Sequence, residues 1–343
     1  MTGREEEMAT LETVYMGIHL KNPVIAGAGP LTANMAHIKA LEEAGAGAIV
    51  TKSLFEEQIQ LDRFKLDEER EQYYYRHPEM VTVGAGQEHA GPQEHLYWVK
   101  KAKNECRIPV IASLNAVNRE TWVEYAGLLE STGVDGLELN FYNTPETFEK
   151  SASDIEKEQL ITVRAVLKKV TVPVSVKLSP FYTNPLHFIQ QLDAAGVRGI
   201  VLFNRLFQPE IDIHEKKHVF PFYPSHPEDH RLPLRFAGLL HGSVRADICS
   251  STGIYEGADA VKMILAGASC FQMVSALLSG PEKIKNILSS ITDWMTKNRY
   301  EKPDDFRGAM NRKNTKDPWA YTRSQYIKWV MQSDAVIGKK KAP

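Results

Sequence analysis

Short apolar runs rich in valine and isoleucine recur along the chain and alternate with segments of helical periodicity. Near-continuous apolar runs of this length are typical of strands that are buried on both faces of a parallel sheet. Because strands and helices alternate without a break, the pattern predicts an α/β fold, a closed (β/α)8 TIM barrel. Eight candidate strands can be counted, at residues 23–27, 47–52, 109–115, 135–140, 173–178, 199–204, 246–251 and 269–274.

The segments between these runs carry helix signals at both ends. Residues 34–45, 119–133 and 184–196 have helical periodicity, and each segment ends on glycine, a favoured helix stop. Asn34 and Asn184 stand where a helix N-cap is expected. The sequence therefore predicts helices that begin after these asparagines and end before the glycines.

Four segments depart from the regular alternation. Residues 11–22 predict a small N-terminal hairpin that covers the bottom of the barrel, and residues 298–343 predict a polar C-terminal extension. Long insertions at 53–91 and 205–244 follow the second and sixth strands, on the face where barrel active sites form. Such loops are often lids or substrate walls, with surface decoration or an oligomer contact as the alternative. The chain is thus predicted to be one barrel domain spanning residues 1–343.

Composition is compatible with this fold and narrows the functional classes. The 343 residues, 43% of them hydrophobic, suffice for one barrel of about 250 residues with extensions. With 41 basic and 43 acidic residues the chain is nearly neutral, which argues against nucleic-acid binding. Dispersed Cys106, Cys249 and Cys270 argue against a disulfide framework, an iron–sulfur cluster or a zinc site, and fit a reducing cytoplasm. The sequence has no apolar signal core and no run of about 20 apolar residues, so it predicts a cytoplasmic protein without a membrane span.

The clearest candidate chemistry lies in the stretch 251–281. Thr252 and Gly253 follow the seventh strand, and Val274 and Ser275 follow the eighth, with a helix-forming segment between them. Backbone N–H groups near a helix N-terminus bind anions, and the loops after strands seven and eight of a barrel are a frequent phosphate site. The stretch predicts a barrel that holds a phosphorylated cofactor.

Polar side chains close most of the predicted strands. At any one position such a residue could be a structural polar group, but several that meet at one rim favour a ligand site. Lysines there would stabilise negative charge on the ring of a reduced flavin, and asparagine amides can donate to and accept from a heterocycle. With the phosphate site, they predict a pocket for flavin mononucleotide (FMN). The residues are Lys52, Asn115, Asn140, Lys177 and Asn204.

The chain resembles the dihydroorotate dehydrogenase family, specifically its soluble class 1 branch and a dehydrogenase-like subgroup within it, over about residues 11–295. The segments that carry the resemblance are NPVIAGAGP at 22–30, TKS at 51–53, ASLN at 112–115, LELN at 137–140, VKLSP at 176–180, LFNR at 202–205 and the stretch 251–281. The resemblance implies FMN bound by the backbone of Gly27, Ala28 and Gly29. It implies contacts to the flavin ring from the five strand-end residues and to the phosphate from Thr252, Gly253, Val274 and Ser275.

The resemblance also implies a reaction, in which a side-chain base removes a C5 proton while the C6 hydride passes to flavin N5. The position of that base is occupied here by Asn143, whose neutral amide cannot accept a proton in the same way. The neighbouring Tyr142 carries a proton that it can donate, and Lys52 is the third catalytic candidate. Implied substrate contacts come from Lys52, Asn140, Asn204 and Arg205.

Further acid–base and carboxylate-binding candidates lie in the two insertions and the segment that follows each. Loop histidines are more often solvated or structural than catalytic, and their spacing matches no metal-ligand set, so no metal is predicted. Arg235 is a second arginine that could pair with a substrate carboxylate, or could form a structural ion pair. The histidines are His89, His95, His214, His218 and His241.

Three functions follow from these observations. The first is an FMN-dependent oxidoreductase of the dihydroorotate dehydrogenase type that acts on a dihydropyrimidine. The second keeps the fold and the flavin but acts on a different unsaturated substrate, because Asn143 replaces the usual cysteine or serine base. The third is a non-redox phosphate-binding barrel enzyme, in which Lys52 and Lys177 act as Schiff-base or electrostatic residues. The predicted partners are a small-molecule substrate and, by resemblance, a second copy in a homodimer and a separate electron-transfer protein.

Overall fold

The centre of the molecule is a closed barrel of eight parallel strands. The computed structural model describes residues 9–57, 59, 92–142, 147–205, 208–219 and 223–331. Neighbouring strands pair in the order of the chain, and the eighth pairs with the first to close the barrel. The predicted (β/α)8 barrel is confirmed, and each predicted run contains one strand. The strands are β1 (Val24–Ala26), β2 (Ala48–Val50), β3 (Val110–Asn115), β4 (Gly136–Asn140), β5 (Val174–Leu178), β6 (Gly199–Leu202), β7 (Asp247–Ser251) and β8 (Cys270–Met273).

Each barrel strand is followed by a helix that covers the outside of the sheet. The N-caps predicted at Asn34 and Asn184 are confirmed, since their side chains accept hydrogen bonds from His37 N at 3.0 Å and His187 N at 3.3 Å. The helices are α1 (Met35–Glu43), α2 (Pro92–Glu105), α3 (Arg119–Glu130), α4 (Ala152–Lys169), α5 (Pro185–Ala195), α6 (Arg231–Leu240), α7 (Gly257–Ala266), α8 (Lys283–Asn298) and, beyond the barrel, α9 (Ser324–Met331).

The N-terminal hairpin, formed by strands Thr13–Tyr15 and Ile18–Leu20, closes the amino-terminal end of the barrel. Tyr15 and Met16 are buried there, and Met16 N donates to the Asp247 carboxylate at 2.7 Å. The hairpin packs so closely against the start of β6 that a methyl group on Gly199 would lie 2.6 Å from Tyr15 Oη. Tyr15 and Met16 join an apolar cluster inside the barrel whose other buried members are Leu20, Ile25, Ala48, Val50, Ile111, Val201, Cys249 and Cys270.

The two predicted insertions contain regular structure of their own. In the first, the short strand Leu54–Phe55 pairs with β3, while residues 58 and 60–91 lie outside the described residues. The second contains the antiparallel pair Glu210–Asp212 and Lys217–Val219 and then the sixth barrel helix, α6. The predicted insertion 205–244 therefore wrongly included a barrel helix, α6. Its sequence, RLPLRFAGLL, carries a proline and a glycine that weaken the helical signal.

The C-terminal extension packs back against α6. Arg312 N donates to Gly238 O at 2.9 Å, and a methyl group on Gly238 would lie within 2.4 Å of the ring of Tyr321. Arg235 Nη1 donates to Tyr321 O at 3.1 Å. All three cysteines are free thiols. Among the described helices, none combines the length and the apolar character needed to cross a membrane.

Candidate active site

A cavity of about 600 Å³ opens at the carboxyl ends of the barrel strands. This volume lies within the range of small-molecule and cofactor sites. Among the described residues that line it there is no aspartate or glutamate, so its charged side chains are all cationic. The cavity brings together most of the residues predicted from the sequence: Ala28, Gly29, Lys52, Asn140, Tyr142, Lys177, Asn204, Arg205, Thr252, Gly253, Val274 and Ser275.

Two of the predicted residues that the structure describes do not line this cavity. Gly27 lies beside it, where its N–H donates to Met273 O at 2.9 Å and a methyl group would lie 2.9 Å from Val274 Cγ2. Asn115 is buried behind Asn140 and donates to the Asn140 carbonyl at 2.9 Å. Asn115 therefore supports a lining residue. Asn143 lies outside the described residues.

A chain of polar side chains fixes the orientation of the Asn140 amide. Its oxygen accepts a hydrogen bond from Asn204 Nδ2 at 2.6 Å, and its nitrogen donates to Ser53 Oγ at 3.4 Å. Ser53 Oγ lies 2.7 Å from Ser113 Oγ. Two asparagines from β4 and the end of β6 are thereby held in one arrangement at the cavity. The two serines were missed by the sequence analysis, although Ser53 directly follows Lys52 at the end of the second strand.

The two lysines occupy different depths. Lys52 is exposed at the rim, whereas Lys177 is 6% exposed at the floor and donates to Gln272 Oε1 at 3.0 Å. Gln272 also lines the cavity. This residue was not predicted from the sequence, although a glutamine inside the apolar run 269–274 was a signal. A buried ammonium and a primary amide together form a floor that favours electron-rich ligand atoms.

The opposite side of the cavity is built from closely packed backbone. Thr252 and Gly253 both have left-handed backbone, with φ of 81° and 75°. Ser225, which the sequence analysis also missed, connects the walls, since its N–H donates to Ser275 Oγ at 3.0 Å and its hydroxyl accepts from Gly253 N at 3.4 Å. A methyl group on Gly29 would lie 2.7 Å from Val274 Cγ1. Hydroxyl groups and backbone therefore converge at the ends of β1, β7 and β8.

The predicted arginines differ in their positions. Arg205 lines the cavity and forms an ion pair with Asp229, whose carboxylate also accepts from His226 N at 2.8 Å. The guanidinium has five N–H donors, so this pairing leaves donors for a ligand. Arg235 instead binds the C-terminal extension through Tyr321 O.

None of the loop histidines that the structure describes lines the cavity. His95 interacts electrostatically with a lining residue, Lys52. Burial lowers the pKa of His95 to about 4, and the charge of Lys52 contributes a smaller part of this shift. His214 and His218 belong to the small hairpin of the second insertion, and His241 lies beside Gly267 O at 3.1 Å. His89 lies outside the described residues.

Comparison with known proteins agrees with this geometry. The sequence model of the dihydroorotate dehydrogenase family matches residues 10–295. A putative dihydroorotate dehydrogenase A (fumarate) of Aeropyrum pernix is 28% identical over 312 residues, covering 86% of this chain and 96% of that protein. The dihydroorotate dehydrogenase B (NAD(+)) catalytic subunit of Thermoplasma volcanium is 28% identical over 88% of this chain and 99% of its own length. The chloroplastic dihydropyrimidine dehydrogenase (NADP(+)) of Arabidopsis thaliana is 21% identical over 88% of this chain and 77% of its own length. The resemblance predicted from the sequence is thereby confirmed, and this chain belongs to the dihydroorotate dehydrogenase family.

Proposed function

We propose that this protein is an FMN-dependent oxidoreductase that transfers hydride between the C5–C6 bond of a dihydropyrimidine, such as dihydroorotate, and the flavin. The observation that carries the proposal is one cavity that joins a lysine and amide floor to a rim of backbone and hydroxyl groups at β7 and β8. Family membership supports the same class of reaction.

The residues around the cavity fit FMN. Side chains larger than hydrogen at Gly29 and Gly253 would meet Val274 at 2.7 Å and the His230 backbone at 2.3 Å, so the glycines allow the walls to close around a ligand. The phosphate would lie against Thr252, Gly253, Val274 and Ser275, where carboxylates are absent from the described lining. Bound FMN would supply the hydride acceptor, since no side chain of a protein performs that chemistry.

The chain's own residues would bind and orient the substrate and handle its proton. The interlocked amides of Asn140 and Asn204 would hold the polar edge of a small ring in one orientation. Lys52 and Arg205 would attract an anionic substituent at the rim. Tyr142 lines the cavity and directly precedes Asn143, the base position, in the sequence, so it is our candidate for the proton transfer.

A second candidate keeps the flavin and changes the substrate. An asparagine at position 143 is a neutral amide where the family reaction needs a base, which favours a different unsaturated substrate. The relatives themselves are named for two reactions, those of dihydroorotate dehydrogenase and dihydropyrimidine dehydrogenase.

We also propose that electrons leave through a separate protein. The Thermoplasma volcanium relative is named as the catalytic subunit of an NAD(+)-linked enzyme, which supports a partner of this kind. The homodimer predicted from the resemblance remains a prediction.

The test is an anaerobic titration of the purified protein with dihydroorotate, followed at the visible flavin band. Bleaching would establish dihydroorotate as a substrate, and Tyr142→Phe should then slow it by about 10²-fold or more if Tyr142 transfers the proton. A yellow protein that bleaches only with another dihydropyrimidine would establish the second candidate. A colourless protein that fails to bind added FMN would contradict both and favour the non-redox phosphate-binding enzyme.

A further inference from the structure

A carboxyl group lies buried beneath the floor of the cavity. Glu138, in the middle of β4, is 1% exposed. Its Oε2 accepts a hydrogen bond from Gln272 Nε2, whereas its Oε1 has no hydrogen-bond partner among the described residues. Buried carboxyl oxygens are usually paired, so a half-paired one in the centre of a barrel requires a functional explanation.

Gln272 connects this carboxyl group to the cavity. While its nitrogen donates to Glu138, its oxygen accepts from Lys177 Nζ at 3.0 Å. One amide therefore bridges a buried acid and a buried cation. Gln272 and Lys177 line the cavity and Glu138 does not, so Glu138 can reach a ligand only through these two residues.

Among the described groups around Glu138, Lys177 is the charged neighbour. Ser113 and Ser175 stand opposite it in register on the adjacent strands. From below, Tyr15 is close enough for Glu138 to raise the pKa of its phenol, after the larger effects of burial and of Cys249 and Cys270. Burial raises the pKa of Glu138 itself, and Lys177 and then Gln272 oppose that shift. Glu138 therefore loses its proton at higher pH than an ordinary carboxyl group.

We propose that Glu138 is a positioning residue of the cofactor pocket, which holds the Lys177 ammonium at the floor through Gln272 and sets the positive potential that Lys177 presents to a ligand. The inference rests on the proposed FMN site. A charged Glu138 offsets part of the Lys177 charge, and a neutral Glu138 leaves it undiminished. Because a reduced flavin carries more negative charge at its pyrimidine edge than an oxidised one, the neutral carboxyl favours the reduced cofactor.

The first experiment measures the reduction potential of the bound flavin as a function of pH in the wild type and in Glu138→Gln. The two proteins should agree at low pH, where the wild-type carboxyl is also neutral. As pH rises, the variant should favour reduced over oxidised FMN by on the order of tenfold more than the wild type. A purely structural role would shift the potential equally at every pH, and that result would overturn the proposal.

Asp247→Asn is the matched control. Asp247 is also a carboxyl group of a barrel strand whose pKa is raised by burial, but its hydrogen bonds lead to Met16 and Ser269 at the other end of the barrel. The control should leave the potential and its pH profile unchanged. A change in the control equal to that in Glu138→Gln would assign the effect to barrel stability and overturn the proposal.

A second experiment needs no flavin. Urea unfolding of the apoprotein is measured for Glu138→Gln, Lys177→Met and the double variant. The effects should be non-additive, and replacing Gln272 by leucine should make them additive. If the effects of the two substitutions on the unfolding free energy were additive with Gln272 intact, the proposal would be overturned, even if the protein binds FMN. Non-additive effects in a protein that binds no FMN would support the Lys177–Glu138 link and refute only the FMN assignment.

Discussion

At the scale of single residues, a comparison of two glycines distinguishes the cost of backbone strain from the cost of steric contact. Both Gly17 and Gly253 have left-handed backbone, with φ of 82° and 75°. A methyl group on Gly17 would meet nothing within 4 Å, whereas one on Gly253 would lie 2.3 Å from His230 N. Gly17→Ala should therefore cost only the strain of a left-handed alanine, about 1–2 kcal/mol. Gly253→Ala should cost more in urea unfolding and should also weaken FMN binding, because the 226–230 turn must move. Equal losses of stability and unchanged FMN affinity would contradict this.

The sequence predicted the polar residues that close the strands better than those that lie within them. Lys52, Asn140 and Lys177 could be predicted to meet because the carboxyl ends of parallel strands lie at one edge of a barrel. Glu138 and Gln272 lie within strands, where a polar residue gives no indication of its partner across the barrel. Their pairing depends on which strands face each other, and this follows from closure rather than from local pattern.

At the scale of elements, Asp247 connects the N-terminal hairpin to the barrel. Its carboxylate accepts from the N–H of the buried Met16 at 2.7 Å, in a part-buried position. Asp247→Ala should destabilise the protein by about 1–3 kcal/mol, because the Met16 N–H then lacks an acceptor. Asp247→Asn keeps an acceptor oxygen and should cost less at neutral pH. Urea unfolding compares the two variants, and equal losses would show that the hydrogen bond is not what holds the hairpin.

The same carboxyl group predicts a dependence of stability on pH. Burial raises the pKa of Asp247 above its ordinary value of 3.8, against the opposing effect of its hydrogen bond from Met16. The folded state therefore keeps this proton to higher pH than the unfolded chain. The resulting stability is fully present below pH 3.8 and is lost as the pH rises through the folded pKa. Asp247→Asn should remove this decline, so its unfolding free energy relative to the wild type should rise with pH across that window. A constant difference would contradict the prediction.

The C-terminal extension is held by an arginine that sequence analysis considered for the substrate. Arg235 binds Tyr321 O and Gln325, away from the cavity. Arg235→Ala should raise hydrogen exchange in α9 by on the order of tenfold, because hydrogen bonds to a charged group are lost. Flavin reduction should not change. Arg205→Ala is the comparison, since Arg205 lines the cavity and its loss should raise the KM for an anionic substrate. Slower flavin reduction in Arg235→Ala alone would reverse these assignments.

The strands that could be predicted from the sequence are those that are buried on both faces. All eight barrel strands could be predicted because their apolar runs are buried on both faces. The helix α6 could not, since Pro233 and Gly238 interrupt its pattern, and the strand Leu54–Phe55 is too short to give one. Both features lie in the segments predicted as insertions, where the chain departs most from regular alternation.

At the scale of the whole molecule, the two ends of the barrel have opposite roles. The hairpin fills the amino-terminal end with Tyr15 and Met16, and the cavity opens at the other. Between them, Glu138 lies close to Tyr15 below and to Lys177 above. Within the described part of the barrel, the interior thus changes from an apolar plug to a cationic floor, and the cavity for a ligand lies at the carboxyl ends of the strands.

The phosphate site at the ends of β7 and β8 can be tested on the whole protein by its stability. A ligand that binds only the folded state stabilises it by mass action, by about 2.7 kcal/mol at a free concentration of 100 times its dissociation constant. FMN should therefore raise the unfolding midpoint of the apoprotein. Riboflavin, which has the same ring and no phosphate, should raise it less at the same concentration. Gly253→Ala should reduce the gain from FMN and leave the gain from riboflavin unchanged, because Gly253 lies at the rim assigned to the phosphate. Equal gains from both ligands would show that the ring alone is bound and that these strand ends hold no phosphate.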